Sequence, residues 1–324
     1  MPNADLTQLS QLARDQGWVA HSDEFTELTL AGEGNMNWVR RAKLASGHSV
    51  ILKQSLPYVA KYPDILAPIE RIEVERSFYE AIAGTGVAEH TPKIVGFDVE
   101  SRTLCMEDLG AASDLTTLYG SGARDADQVI PALLSWLSDL HAIGVTDPSS
   151  FVNKSMRQLN HEHIFDLPFR KDNGLQFSPA LTAAWTTLAT QAVKDRAIQL
   201  GQLYLSEPST NACLLHGDFY PGSWLNTSSG LFAVIDPEFA FFGPAEFDVG
   251  VMWAHLLFAG MSQAEVATAL TLYRSPASFS YTLAGQFAGI EILRRLFGVA
   301  QLPLTIDDDT KITLASTATG LILA

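Results

Sequence analysis

A change of hydrophobic period near Asp108 constrains this chain more than any other feature. Before it, apolar and polar residues alternate. After it, apolar residues recur every three or four positions. Residues 25–31 and 38–44 alternate around the Gly-rich segment 32–35 and read as a hairpin. Residues 48–54 read as a third strand, and 93–99 and 102–106 as two more. Residues 5–16 read as a short leading helix, 63–68 as a loop, and 70–83 as a helix with Ile72, Phe78, Tyr79 and Ile82 on its apolar side. Beyond Asp108, helical spacing runs over 128–143, 178–205, 249–259, 263–273, 279–299 and 308–323. Two short apolar strands, 213–216 and 231–235, interrupt it. The pattern predicts an α+β fold in two lobes with a cleft between them. Residues 1–107 would form a small β-rich N-terminal lobe, and 108–324 a larger, mainly α C-terminal lobe.

Bulk properties narrow the function classes. With 324 residues the chain is long enough for two cores. Its net charge of -15 repels phosphate backbones at long range, so nucleic acid is an unexpected partner. Cys105 and Cys213 each sit in an apolar run and make neither a disulfide framework nor a zinc site. The first ten residues, MPNADLTQLS, have no basic region and no apolar core, so no signal peptide is expected. The apolar stretch 249–261 contains His255 and is too short to span a bilayer. No membrane association is expected, and the cytoplasm is the expected compartment.

The chemistry concentrates in Leu214-Leu215-His216-Gly217-Asp218-Phe219-Tyr220-Pro221-Gly222-Ser223 and in Val234-Ile235-Asp236-Pro237-Glu238. Each acidic group follows a short apolar strand, where a loop can hold it rigidly. Phosphoryl transfer needs one carboxylate to accept or orient a hydroxyl proton and others to hold Mg²⁺ against the phosphates. Asp218 fits the first role; Asp236 and Glu238 fit the second. Either aspartate alone would be an ordinary turn residue.

These residues carry a family resemblance. HGDFYPGS followed by IDPEFAFFGPAEFDVG resembles the aminoglycoside phosphotransferase and choline kinase superfamily, and within it the 5-methylthioribose kinases. The resemblance implies a bilobal protein-kinase-like fold and transfer of the γ-phosphate of ATP to a hydroxyl. It implies Asp218 as catalytic base in a loop that includes His216 and Ser223, and Asp236 with Glu238 as Mg²⁺ ligands. Asp248 would brace the catalytic loop; read from its sequence position alone, it is an N-cap for the next helix.

The resemblance extends across most of the chain. Gly32, Gly34, Asn35 and Asn37 match the family's nucleotide loop, where glycines let backbone N–H groups approach phosphates. Lys53, in Val50-Ile51-Leu52-Lys53, matches the lysine that binds the α- and β-phosphates. Its partner carboxylate is expected from the following helix, with Glu73 in an Arg-Ile-Glu match as first choice and Glu75 as second. Met106-Glu107-Asp108-Leu109 resembles the hinge whose backbone pairs with adenine. Arg294 and Arg295 match the paired arginines that contact the sugar. Read without the resemblance, Glu291 and Arg295 are spaced for an ordinary helix ion pair, and adjacent arginines point about 100° apart.

The departures lie on the acceptor side. Tyr220 stands where these kinases usually have His, residues 298–303 differ from the family stretch, and the segment between the metal motif and the arginines is shorter. The acceptor that the resemblance implies is 5-methylthioribose or a similar sugar, in a pocket of altered shape. An amino alcohol, a hydroxylated amine or an aminoglycoside is the alternative, and a nucleotide-binding pseudokinase a third reading. The resemblance also implies a homodimer.

Overall fold

The computed structural model describes residues 5–32, 36–121, 126–144, 147–228, 230 and 232–324. In chain order the first elements are helix α1 (Leu6–Asp15), strands β1 (Phe25–Leu30), β2 (Trp38–Leu44), β3 (Ser49–Gln54), β4 (Tyr58–Val59) and β5 (Tyr62–Leu66), helix α2 (Arg71–Ile82), and strands β6 (Ile94–Asp98), β7 (Thr103–Glu107) and β8 (Ala112–Asp114). Helices α3 (Leu118–Ser121), α4 (Ala126–His141), α5 (Lys154–His161), α6 (Pro179–Leu188) and α7 (Gln191–Leu205) follow. Then come strands β9 (Cys213–Leu215), β10 (Trp224–Thr227), β11 (Phe232–Val234) and β12 (Phe241–Gly243), and helices α8 (Glu246–Phe258), α9 (Gln263–Leu270), α10 (Tyr281–Phe297) and α11 (Asp308–Ile322).

The chain divides into two compact units, residues 1–113 with 225–239, and residues 114–224 with 240–324. Division of the sequence at 107/108 put residues 225–239 in the second part. They fold with the first because β10 and β11 join β8 in one three-stranded sheet.

The first unit is built on an antiparallel sheet in the order β1-β2-β3-β7-β6. Leu9 and Ala13 of α1 pack with Trp18 and with Phe25, Ala42, Leu52 and Cys105 of the sheet. The register sets Lys53 opposite Val39 and Leu104, so the lysine sits in a central strand rather than at an edge. Residues 63–68, read as a loop, lie mostly in β5, which pairs with β4.

The second unit is helical. Helices α8 and α10 run side by side, and Gly250 lets them touch: a Cβ there would fall 2.7 Å from the Ala284 carbonyl oxygen and 2.6 Å from Phe287 Cβ. The continuous helix expected over 178–205 is two helices, because Thr190 breaks off in an extended conformation and caps α7 by accepting the Val193 N–H. No helix among the described residues is long and apolar enough to cross a membrane.

Candidate active site

In the first unit, burial brings five charged side chains together. Lys53 Nζ lies 2.6 Å from Glu75 Oε2 and 2.5 Å from Asp236 Oδ1. Arg71 Nε lies 3.1 Å from Glu238 Oε2. Lys53, Arg71, Glu75 and Glu238 are all buried, while the Asp236 side chain is 41% exposed. Asn37 completes the set, donating from Nδ2 to Glu238 Oε2 at 3.0 Å and accepting from Arg71 Nε at 3.0 Å. The other Arg71 nitrogens donate to the Met36, Leu56 and Pro68 carbonyls. That saturation lets a guanidinium stand in the core.

Three carboxylates here face two permanent cations. Burial alone would lower Lys53, but Asp236, Glu75 and Glu238 outweigh it and its net shift is upward. Burial pushes Glu75 up to about 8 and raises Glu238 as well. The lysine keeps its charge, and the surplus negative charge on the carboxylates is relieved by a proton or by an added cation. A hard divalent cation with oxygen ligands fits that donor set, and Asp236 and Glu238 are the two carboxylates of the motif that would hold it. Among the described residues, no three His, Cys, Asp or Glu side chains form a metal cage by themselves. A magnesium ion bound with phosphates needs only one or two carboxylates.

This arrangement corrects two sequence expectations. Glu73, the first choice as partner of Lys53, pairs instead with Arg102 at the surface. Glu75, two residues on, is rotated about 200° around α2 and faces inward. The side chain of Asn37, expected at the nucleotide, is turned into the core against Glu238 and Arg71. Gly32 has open space around it, whereas Gly34 and Asn35 lie outside the described residues. Glu107 ends β7 with its backbone N–H on the Lys93 carbonyl. Leu109 is half-buried in the segment that follows. Asp108 between them takes Arg41 Nε at 2.7 Å and the Ser49 hydroxyl at 2.5 Å, so two side chains that the sequence did not single out fasten this segment.

In the second unit the loop after β9 is held from beneath. Asp248, in the first turn of α8, accepts the His216 N–H at 2.7 Å and the Gly217 N–H at 2.9 Å. Its Oδ2 also lies 3.3 Å from His141 Nε2. It is not the N-cap of α8, a place taken by Ala245. Gly217 turns the chain with φ of 84°, a conformation costly for other residues. His216 is fully buried between Trp136 and Phe219, and its Nδ1 accepts from the Asp218 N–H at 3.4 Å. Buried Ser223 donates to the Asp218 carbonyl at 3.0 Å. Expected as part of the catalytic set, His216 and Ser223 spend these contacts on the Asp218 backbone and so position it.

Asp218 meets both arginines. Its Oδ1 lies 3.5 Å from Arg294 Nη1 and 3.4 Å from Arg295 Nη2. Buried Glu291, one turn earlier on α10, binds both as well, Arg294 Nη1 at 3.1 Å and Arg295 Nε at 2.6 Å. Burial opposes a charge on Glu291, yet the two guanidinium groups hold it well below the usual carboxylate range. Behind it, His255 Nε2 lies 3.2 Å from Glu291 Oε1, and His255 Nδ1 lies 2.6 Å from the Tyr119 hydroxyl. A carboxylate can only accept, so the neutral ring donates from Nε2 and accepts the Tyr119 O–H at Nδ1. Burial lowers His255 to about 4, which keeps it neutral. Tyr220 lies under Arg295, 4.7 Å from ring centre to guanidinium carbon. Two arginines, Glu291 and Asp218 thus sum to zero charge, and the expectation of an ordinary ion pair covers only part of the network. His255 and Tyr119 were not singled out in the sequence; a His inside an otherwise apolar helical run was the available signal.

The sequence profile of the phosphotransferase enzyme family matches residues 40–280. The methylthioribose kinase of Bacillus cereus (strain ZK / E33L) is 27% identical over 316 residues, covering 84% of this chain and 78% of that protein. The methylthioribose kinase of Pectobacterium atrosepticum is 30% identical over 263 residues, covering 76% of this chain and 64% of that protein. Among solved structures, the choline kinase of Cryptosporidium parvum Iowa II superposes with a TM-score of 0.61 at 13% identity, covering 98% of this chain and 94% of that one. A spectinomycin phosphotransferase in complex with ADP and spectinomycin gives 0.55 at 13% identity, covering 99% and 98%. At such identities the superpositions speak for the fold, which is the kinase-like α+β fold.

Proposed function

Since the chain belongs to the phosphotransferase enzyme family and is a small-molecule kinase acting on a hydroxyl, we propose that it transfers the γ-phosphate of ATP to a hydroxyl of 5-methylthioribose or a similar neutral sugar. The observation that carries this reading is the pair of buried guanidinium groups within 3.5 Å of Asp218. A base and two hydrogen-bond forks that share one carboxylate oxygen suit an acceptor rich in hydroxyl groups. With both guanidinium groups balanced by Glu291 and Asp218, no surplus negative charge is left to attract a cationic acceptor such as an amino alcohol. The relatives named methylthioribose kinase support the same choice.

In this reading Lys53 orients the α- and β-phosphates, with Glu75 holding the ammonium in place. Asp236 and Glu238 would hold magnesium, which would neutralise charge on the phosphate oxygens. Asp218 accepts the acceptor's hydroxyl proton as that oxygen forms its bond to the γ-phosphorus. The bond from phosphorus to the bridging oxygen breaks, and ADP leaves with the electron pair. Asp248, His216 and Ser223 keep Asp218 in place throughout.

The test is a turnover screen over sugars, amino alcohols and aminoglycosides with ATP. Turnover of a neutral sugar above the cationic alcohols is the expected result. Preference for a choline-like cation or a polyamine would overturn the sugar assignment and leave the kinase intact. No turnover with any acceptor, together with ATP binding, would favour a pseudokinase.

A further inference from the structure

One histidine behind the arginines is left without a role by these assignments. His255 lies in α8 among the apolar residues Met252 to Phe258 and is fully buried. An apolar side chain would suit that place without the cost of desolvating a polar ring. Both ring nitrogens are nevertheless spent. Nδ1 accepts the Tyr119 hydroxyl at 2.6 Å, and Nε2 donates to Glu291 Oε1 at 3.2 Å. Tyr119, in α3, is buried as well. Its hydroxyl occupies Nδ1 and so fixes the tautomer that donates toward α10.

Glu291 receives Arg295 Nε at 2.6 Å on Oε1 and Arg294 Nη1 at 3.1 Å on Oε2. Both arginines sit on the same helix as Glu291, whereas the His255 N–H reaches it from another. The Tyr220 ring, which carries the Arg295 guanidinium at 4.7 Å, also packs on His255 with 5.2 Å between ring centres. A buried polar network with its donors and acceptors matched holds a single arrangement. We infer that His255 is a positioning residue for the acceptor: its Nε2–H, oriented by the Tyr119 hydroxyl, holds Glu291 so that Arg294 and Arg295 present their guanidinium groups beside Asp218. The inference rests on the reading of the two arginines as acceptor-binding groups. It goes beyond that reading by assigning the two side chains behind them.

His255→Leu fills the space and removes the donor, whereas His255→Gln keeps an N–H for Glu291. Initial rates with 5-methylthioribose and ATP are measured on wild type, on both variants and on Arg294→Ala. In His255→Leu, KM for 5-methylthioribose should rise about tenfold, the scale of one hydrogen bond to a charged group. KM for ATP should be unchanged. The fall in kcat should be smaller, because Asp248, His216 and Ser223 hold the loop of Asp218 independently. His255→Gln should recover most of the lost affinity. An equal loss in both His255 variants marks His255 as core packing and overturns the inference. If Arg294→Ala raises KM for 5-methylthioribose and His255→Leu does not, the inference alone fails. If neither raises it, the acceptor reading of the arginines fails and the inference with it. Should His255→Leu not fold, Tyr119→Phe decides: a higher KM for 5-methylthioribose at unchanged KM for ATP supports the inference, and unchanged constants overturn it.

Discussion

Glu73 and Glu75 differ by two positions on one helix, and that offset separates a surface ion pair from a buried one. Partly exposed pairs such as Glu73 with Arg102 contribute about 0–1 kcal/mol. Glu75 and Asp236 hold the Lys53 ammonium between them. Glu75→Gln should therefore weaken ATP affinity and kcat at least about tenfold through loss of that positioning, while the melting temperature changes little because one of three carboxylates facing two cations is removed. Glu73→Gln should stay within about twofold of wild type in ATP affinity and kcat, as expected of a partly exposed pair. Equal effects of the two substitutions would remove Glu75 from the nucleotide set. Sequence order could not have decided between them. Both are carboxylates on the helix that follows the lysine strand, and the choice depends on which face α2 turns to the sheet. By contrast, Asp218, Asp236 and Glu238 stood out as candidates, because each sits in a short motif just after an apolar strand, even though their side-chain partners lie far off in the chain. Asn37 and Glu238, 201 residues apart, meet only through the fold.

Helix α10 shows what one element adds. Arg295 is spent on its surroundings: Nε on Glu291, Nη1 on the Ala300 carbonyl, Nη2 on Asp218, and its face on Tyr220. Arg294 Nε is buried and makes no hydrogen bond among the described residues. Arg294→Ala should then chiefly raise KM for the acceptor, whereas Arg295→Ala should lower kcat and the melting temperature together, with KM for ATP nearly unchanged in both. Initial-rate kinetics on the best acceptor check this, and the reverse pattern would exchange the two roles. The same helix contributes to a pH response. His255 titrates near 6.5 when exposed and at about 4 when folded, so the unfolded chain binds the extra proton first. Its contribution is complete above pH about 6.5 and is lost as pH falls toward 4, roughly 3 kcal/mol in all at about 1.4 kcal/mol per unit. Denaturant unfolding of wild type and His255→Gln between pH 7.5 and 4 isolates it from His161 and His163, which burial also lowers. Parallel slopes in the two proteins would exclude His255. Periodicity revealed α2, α8, α10 and the hairpin of β1 and β2. It did not reveal α5 with the irregular turns that follow it to Phe169, since residues 154–169 mix a polar helix, a π-turn and a 3₁₀ turn with no single repeat.

At the scale of the whole molecule, the two sets of residues fall in different compact units. Lys53, Glu75, Asp236 and Glu238 belong to the first, and Asp218, Glu291 and the arginines to the second. Nucleotide and base can therefore be separated by stability as well as by rate. A ligand that binds only the folded protein adds RT ln(1 + [L]/Kd), about 2.7 kcal/mol at a hundredfold excess over Kd. In wild type, Mg²⁺ and ATP together should raise the melting temperature more than ATP alone. Asp236→Ala removes a carboxylate from the set with surplus negative charge, so the extra rise should disappear while ATP alone behaves as before. Asp218→Asn leaves that set intact and should keep the full rise, yet lose about 10²–10⁴ in kcat through loss of the general base. The Asn also relieves Arg294 and Arg295 of one carboxylate, which leaves the second cluster one positive charge in excess. Its melting temperature without ligand should therefore drop, an offset that the shift on adding Mg²⁺ and ATP does not contain. Loss of the Mg²⁺-dependent shift in Asp218→Asn would mean that Asp218 serves the nucleotide. Retention of both the shift and near-normal kcat in Asp236→Ala would remove Asp236 from the metal site.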